Sequence, residues 1–176
     1  MKRWISLFSQ TGSELEQISK KLGRYPDYVI CNRNHFEGIN QELLKHTILL
    51  GVPQKPSVGD YYKAIGDRKD TIVTLHGYLR IIPPEICNDY EIYNGHPGDI
   101  VQYPELKGFN PQKKALELKL PTTGTVIHRV TAEVDCGEIV SRAPYTITPT
   151  DTLDSLTNNI KGLSIDIWVT LLRKLL

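Results

Sequence analysis

Only three cysteines, Cys31, Cys87 and Cys136, occur in the 176 residues. Their odd number, their wide spacing and the lack of any C-x-x-C pair argue against a disulfide framework and against a zinc knuckle. A reducing, cytoplasmic setting is the expectation. The opening MKRWISLFSQTGSELE holds an apolar run too short for a secretory signal, and no apolar stretch reaches the length needed to span a bilayer. Charge of one sign is also missing. Against 21 Lys and Arg stand 20 Asp and Glu, a net charge of +1, so no broad field advertises nucleic acid or an anionic membrane as a partner. Repeats, low-complexity tracts and long linkers are absent, and a single domain over residues 1–176 is expected.

What is present reads as alternating strands and helices. Trp4 to Phe8 is a short apolar run, followed by SQTGSE and then by Leu15, Ile18 and Leu22 at helical spacing. Tyr28 to Asn32 is a second strand, so the first thirty or so residues form a strand-helix-strand unit. A helix near Gln41 to Lys45, a strand at Thr47 to Leu50 and a further helix after a Pro-rich turn come next. Thr71 to Leu75 is a continuous apolar strand. The chain turns at Pro83-Pro84, and Tyr90 to Tyr93 is a strand stopped by Asn94-Gly95-His96-Pro97-Gly98. Thr125 to Val130 and Glu138 to Ile147 alternate as an antiparallel hairpin joined through Asp135-Cys136-Gly137. Leu153, Leu156, Ile160, Leu163, Ile167 and Leu171 mark one face of a final helix. The expected fold is α/β: an open, mostly parallel Rossmann-like sheet with helices on both faces.

In such a sheet, ligands bind beyond the carboxyl ends of the strands. Three segments end there in polar residues. Thr11-Gly12-Ser13 offers backbone N–H groups and a helix N-terminus to an anion, although Ser13 and Glu16 also have the spacing of a capping box that merely starts the helix. Asn94 and His96, two apart in extended chain, face the same way and are able to hold one oxygen between an amide and an imidazolium. Asp135 is either a turn carboxylate or, if it reaches His96, a group that holds the ring and accepts a proton. His76 and His128 read as hydrogen-bonded structural or supporting residues. His35 and His46 lack the context of a zinc site, and no metal is expected.

Together these residues carry a resemblance. Asn94-Gly95-His96-Pro97 matches an N-x-H-P motif, Thr123-Gly124-Thr125-Val126-Ile127-His128 a T-G-x-x-x-H strand, Asp135-Cys136-Gly137 an acidic D-x-G turn, and Leu75-His76-Gly77-Tyr78-Leu79-Arg80-Ile81 an L-x-G-y-x-R-I run. In this order the chain resembles the folate-dependent formyltransferase family, which includes glycinamide ribonucleotide formyltransferase and the catalytic domains of methionyl-tRNA and sugar N-formyltransferases. The similarity extends from the first strand to the last helix.

The resemblance implies 10-formyltetrahydrofolate as formyl donor and the amine of a small nucleotide- or sugar-like molecule, phosphorylated or not, as acceptor. It implies that the folate lies against Leu79, Arg80, Ile81, Ile82, Ala132, Glu133 and Val134, and that Asn94, His96 as imidazolium, and Asp135 are catalytic. Thr11, Gly12 and Ser13 would bind the acceptor. The acceptor side departs from the pattern: Glu14 stands where glycinamide ribonucleotide enzymes usually have Asn, and Ser164 aligns with an acidic residue that grips their nucleotide substrate. A chain ending at Leu176, with balanced charge, also differs from the longer tRNA and amino-sugar enzymes. Two other readings stand beside transfer to an amine: transfer to water with release of formate, and a folate- or nucleotide-binding module without turnover.

Overall fold

The computed structural model describes residues 2–176. Along the chain run β1 (Arg3–Phe8), α1 (Ser13–Leu22), β2 (Tyr28–Cys31), α2 (Gln41–Leu44), β3 (Ile48–Gly51), α3 (Val58–Ile65), β4 (Thr71–Leu75), α4 (Pro84–Asp89), β5 (Glu91–His96), α5 (Pro111–Glu117), β6 (Thr122–Arg129), β7 (Ile139–Thr146) and α6 (Leu153–Leu175). A short 3₁₀ turn at Pro104–Leu106 precedes α5. The strands form one sheet in the order β3-β2-β1-β4-β5-β6-β7. The first five are parallel, and β6 and β7 run antiparallel.

Period-two alternation explains why β1 and β4 read as unbroken apolar runs. Trp4 and Phe8 pack on one face with Leu15, Ile18, Trp168 and Leu172 of α1 and α6. Ile5 and Leu7 pack on the other with Tyr61 and Ile65 of α3 and Ile86 of α4. Both faces are therefore covered, as a parallel sheet requires. Strand order reverses between β1 and β4, so the chain leaves their carboxyl ends in opposite directions and opens a crevice there. Among the described residues no helix is long and apolar enough to cross a membrane.

Four local expectations are corrected. Strand β5 does not stop before Asn94 but runs through His96, because β6 pairs with it there, Asn94 opposite His128 and His96 opposite Val126. The Ser13 capping box does not form: Gly12, at φ +72°, takes the cap position and Ser13 is the first helical residue. Helices α4 and α5 were not expected, yet each begins with proline, which suits a first turn because its missing N–H has no partner to lose there. The buried stripe of α6 is Leu156, Ile160, Ser164, Trp168 and Leu172, whereas Leu153 is exposed and Leu163, Ile167 and Leu171 lie at its edge.

The segment after His96 is anchored by a bidentate ion pair. Asp99, fully buried, accepts from Arg142 Nε at 2.9 Å and Nη2 at 2.6 Å across to β7. Removing the guanidinium leaves a carboxylate without compensation. Since Arg142 itself is partly exposed, Arg142→Met is expected to cost about 2–3 kcal/mol. The check is a fall in the urea midpoint at unchanged slope.

Candidate active site

At the carboxyl ends of β4 and β5 a cavity of about 320 Å³ is lined by Leu79, Arg80, Ile81, Ile82, Asn94, His96, Gly108, Phe109, His128 and Thr131, together with Glu133, Val134 and Asp135. Thus six of the seven residues expected to meet the folate border one cavity with the expected catalytic three. Ala132 is not among its lining residues, and Thr11, Gly12 and Ser13 lie outside it. Leu79, Ile81, Phe109 and Val134 are large apolar side chains exposed at its rim. Exposed apolar groups gathered around a concavity mark a place where a flat apolar ligand recovers buried area.

Asn94, His96 and Asp135 meet because strand pairing and one turn deliver them. Asn94 and His96 share a face of β5. The hairpin carries Asp135 back over that face in a left-handed conformation, φ +54°, which Asp tolerates better than most residues. Gly137 makes the return possible: a Cβ there would sit 1.8 Å from the Arg129 carbonyl oxygen, so only glycine passes. Asp135 Oδ2 lies 3.3 Å from His96 Nδ1 and accepts the Gly108 N–H at 3.0 Å. Its Oδ1 lies 3.2 Å from His128 Nε2.

His128 belongs in the centre, although the sequence marked it only as a supporting residue. A register irregularity in the β6–β7 ladder falls between Ile127 and His128, and such irregularities re-aim a side chain. Its Nδ1–H donates to the Arg129 carbonyl at 2.8 Å, which leaves Nε2 between Asp135 and the Asn94 amide nitrogen at 3.3 Å. The signal was present in the sequence as the last residue of the T-G-x-x-x-H strand.

Charge at this cluster is set by burial against pairing. Burial drives the His96 pKa below its ordinary 6.5, and the Asp135 charge and the Leu106 carbonyl oppose this without cancelling it. Burial thus works against the imidazolium that the resemblance implies, while Nε2–H donates to the Leu106 carbonyl at 2.8 Å. For Asp135, burial pushes the pKa up, but the neighbouring His128 and His96 rings and the Gly108 N–H hold it down at about 2. The carboxylate therefore stays charged throughout the neutral range.

These shifts fix a stability profile. His96 protonates more readily unfolded than folded, so stability falls as pH drops below about 6.5; Asp135 adds a second loss as pH falls from its ordinary 3.8 toward 2. Denaturant titrations between pH 8 and 2 are expected to show both declines, and Asp135→Asn to flatten the second.

Beside this cavity lies another of about 530 Å³, lined in part by Asn32, Arg33, His35, Gln54 and the shared Leu79, Arg80 and Phe109. Arg80 Nε donates to the Gln54 carbonyl and Arg33 Nη1 to that of Gln10. Neither guanidinium has a carboxylate partner among the described residues. Nor is any group of three or more His, Cys, Asp and Glu there arranged to hold a metal ion.

Comparison with known proteins follows the same lines. The family described as formyl transferase matches residues 2–172. A phosphoribosylglycinamide formyltransferase of Haemophilus influenzae is 30% identical over 102 residues, which cover 57% of this chain and 45% of that protein. The match thus spans less than half of that relative's length. The crystal structure of phosphoribosylglycinamide formyltransferase from Anaplasma phagocytophilum superposes with a TM-score of 0.83 at 26% identity, covering 96% of this chain and 84% of that one. A formyltetrahydrofolate deformylase from Pseudomonas syringae shares the fold, with a TM-score of 0.76 at 20% identity over 98% of this chain and 61% of that one.

Proposed function

The chain belongs to the formyl transferase family, and on that premise we propose that it moves a formyl group from 10-formyltetrahydrofolate to the amine of a small acceptor. One observation carries this reading: Asn94, His96, His128 and Asp135 converge on the wall of a cavity whose rim is apolar. The rim at Leu79, Ile81 and Val134 suits the flat pteridine, with Arg80, Ile82 and Glu133 around it. The neighbouring cavity, where Arg33 and Arg80 lack carboxylate partners, suits the anionic end of the donor.

The donor supplies the activated formyl carbon. In the transfer, the neutral amine nitrogen forms a bond to that carbon, the C=O pair moves onto oxygen, and the bond to the folate nitrogen then breaks as the carbonyl re-forms. Asn94 offers its amide N–H to the oxygen. His96 offers Nε2–H, which substrate must win from the Leu106 carbonyl, and the Asp135 carboxylate, 3.3 Å from Nδ1, favours the ring form that also carries a proton there, the stronger donor to an oxygen that becomes negative. The amine loses one proton and the folate nitrogen gains one, so a water at Asp135 suffices to carry it. The Thr11-Gly12-Ser13 turn, between β1 and α1, is the segment assigned to the acceptor in this reading.

The test is absorbance-monitored turnover of 10-formyl-5,8-dideazafolate with phosphorylated amines, amino sugars and nucleotides, alongside a control without amine. Loss of formyl that requires an amine supports the proposal. Formate release without amine replaces it with hydrolysis. Neither binding nor turnover of the donor sinks it.

A further inference from the structure

On the opposite face of the sheet from Asp135, the carboxyl ends of β1 and β4 meet α1 and α6 around a single carboxylate, Glu14. Its side chain is 33% exposed. Ser164 of α6 donates to Oε1 at 3.2 Å, and His76 Nδ1 faces the same oxygen at 3.8 Å, too far for a hydrogen bond. No Lys or Arg pairs with Glu14 among the described residues.

The His76 ring is 1% exposed, and its Nδ1 has no hydrogen-bond partner. Its tautomer follows from the groups behind it. Thr74 Oγ1 contacts Trp4 Nε1 at 2.9 Å, Ser6 Oγ at 2.7 Å and His76 Nε2 at 2.9 Å. An indole N–H only donates. The Ser6 hydroxyl meets no other side chain, and donation to Thr74 is the arrangement that gives its proton a partner. In that arrangement Thr74 gives its own proton to His76 Nε2, and Nδ1 carries the ring proton on the side of Glu14. A buried ring nitrogen without a partner thus stands 3.8 Å from a partly exposed carboxylate.

This corner connects to the reacting strand. The His76 ring lies against Trp168, with centroids 4.7 Å apart, and Trp168 Nε1, also without a partner, packs on Gly95 so closely that a Cβ there would lie 2.7 Å away. Gly95 sits between Asn94 and His96. Asn94 and His96 border the cavity while Trp168 and His76 back Gly95 on the other face, so an acceptor that meets both would pass across the carboxyl ends of β4 and β5.

We propose that Glu14 is the specificity-determining residue of the acceptor site, taking acceptors that bring hydroxyl or ammonium donors and rejecting those that bring a phosphate. This rests on the formyl-transfer reading. The Thr11-Gly12-Ser13 turn is partly satisfied from within, Thr11 Oγ1 accepting the Ser13 N–H at 3.3 Å and bonding Ser13 Oγ at 2.8 Å. A carboxylate one residue further on, without a neighbouring Lys or Arg, makes the turn a poor seat for a dianion. The same carboxylate strengthens any donor set against it.

The experiment is calorimetry on protein saturated with the dideaza donor analogue, using glucosamine and glucosamine 6-phosphate as probes that differ only in the phosphate. Wild type is expected to bind the unphosphorylated probe more tightly. Glu14→Gln should weaken that binding about tenfold and tighten binding of the phosphorylated probe, leaving the donor affinity and Tm unchanged, and Glu14→Asp should restore part of the preference. Equal affinity for the two probes, no affinity for either, or a Glu14→Gln variant with unaltered preference overturns the inference. Absence of donor binding instead takes down the formyl-transfer reading itself.

Discussion

Asp135→Asn is expected to cut formyl transfer by about 10²–10⁴-fold, the range for loss of a positioned ionisable group in the transition state, while far-ultraviolet circular dichroism stays that of the wild type. The amide keeps the size of the side chain and an acceptor for the Gly108 N–H, so the turn survives. What it loses is the charge that a pKa of about 2 keeps in place throughout the neutral range. Without it, only the Leu106 carbonyl offsets the burial that already lowers the His96 pKa, and the ring becomes a weaker donor to the formyl oxygen as that oxygen becomes negative. The loss should fall on kcat with little change in donor affinity, because Asp135 acts on charge that develops during reaction rather than on the ground state. Wild-type turnover by the variant would remove Asp135 from the mechanism.

His96→Ala is expected to lower kcat by about 10²–10³-fold, as for removal of one preorganised oxyanion donor. It leaves the Leu106 carbonyl without its 2.8 Å donor and Asp135 without one of its two ring partners. A modest loss of stability should accompany it. The pH profile separates the two effects: the decline in stability below about pH 6.5 that belongs to His96 should vanish in this variant, whereas the activity loss should persist at every pH. If kcat is unaffected, the oxyanion is stabilised by Asn94 and other donors, and His96 is structural.

Much of the fold was legible because apolar runs and helical spacing state where a chain must be buried. The strands around Trp4, Val29, Val73 and Val126, and the final helix, appear in sequence order as expected. Helices α4 and α5 escaped because six or seven residues make too short a periodic signal, and Pro83-Pro84 before α4 read first as a turn. The stripe of α6 was misjudged for a different reason: Trp168 and Ser164 are chosen by what they meet on α1 and β5, and helical spacing alone ranks Leu153 above Ser164.

By itself the sequence determined an α/β sheet, the family resemblance and the pairing of Asn94 with His96, since residues two apart in a strand share a face whatever lies around them. Only the tertiary structure decided the rest. Asn94 meets His128 through strand pairing, and Asp135 meets both histidines through a turn that Gly137 alone permits. The protonation of His96 and Asp135 follows from burial and from partners up to 39 residues away in the chain. Glu14 and Ser164, 150 residues apart, come within 3.2 Å only because α1 and α6 cover the same face. Hydrophobic patterning is a local property that a linear string carries; electrostatics and hydrogen bonding depend on through-space distance, which exists only after the chain has folded.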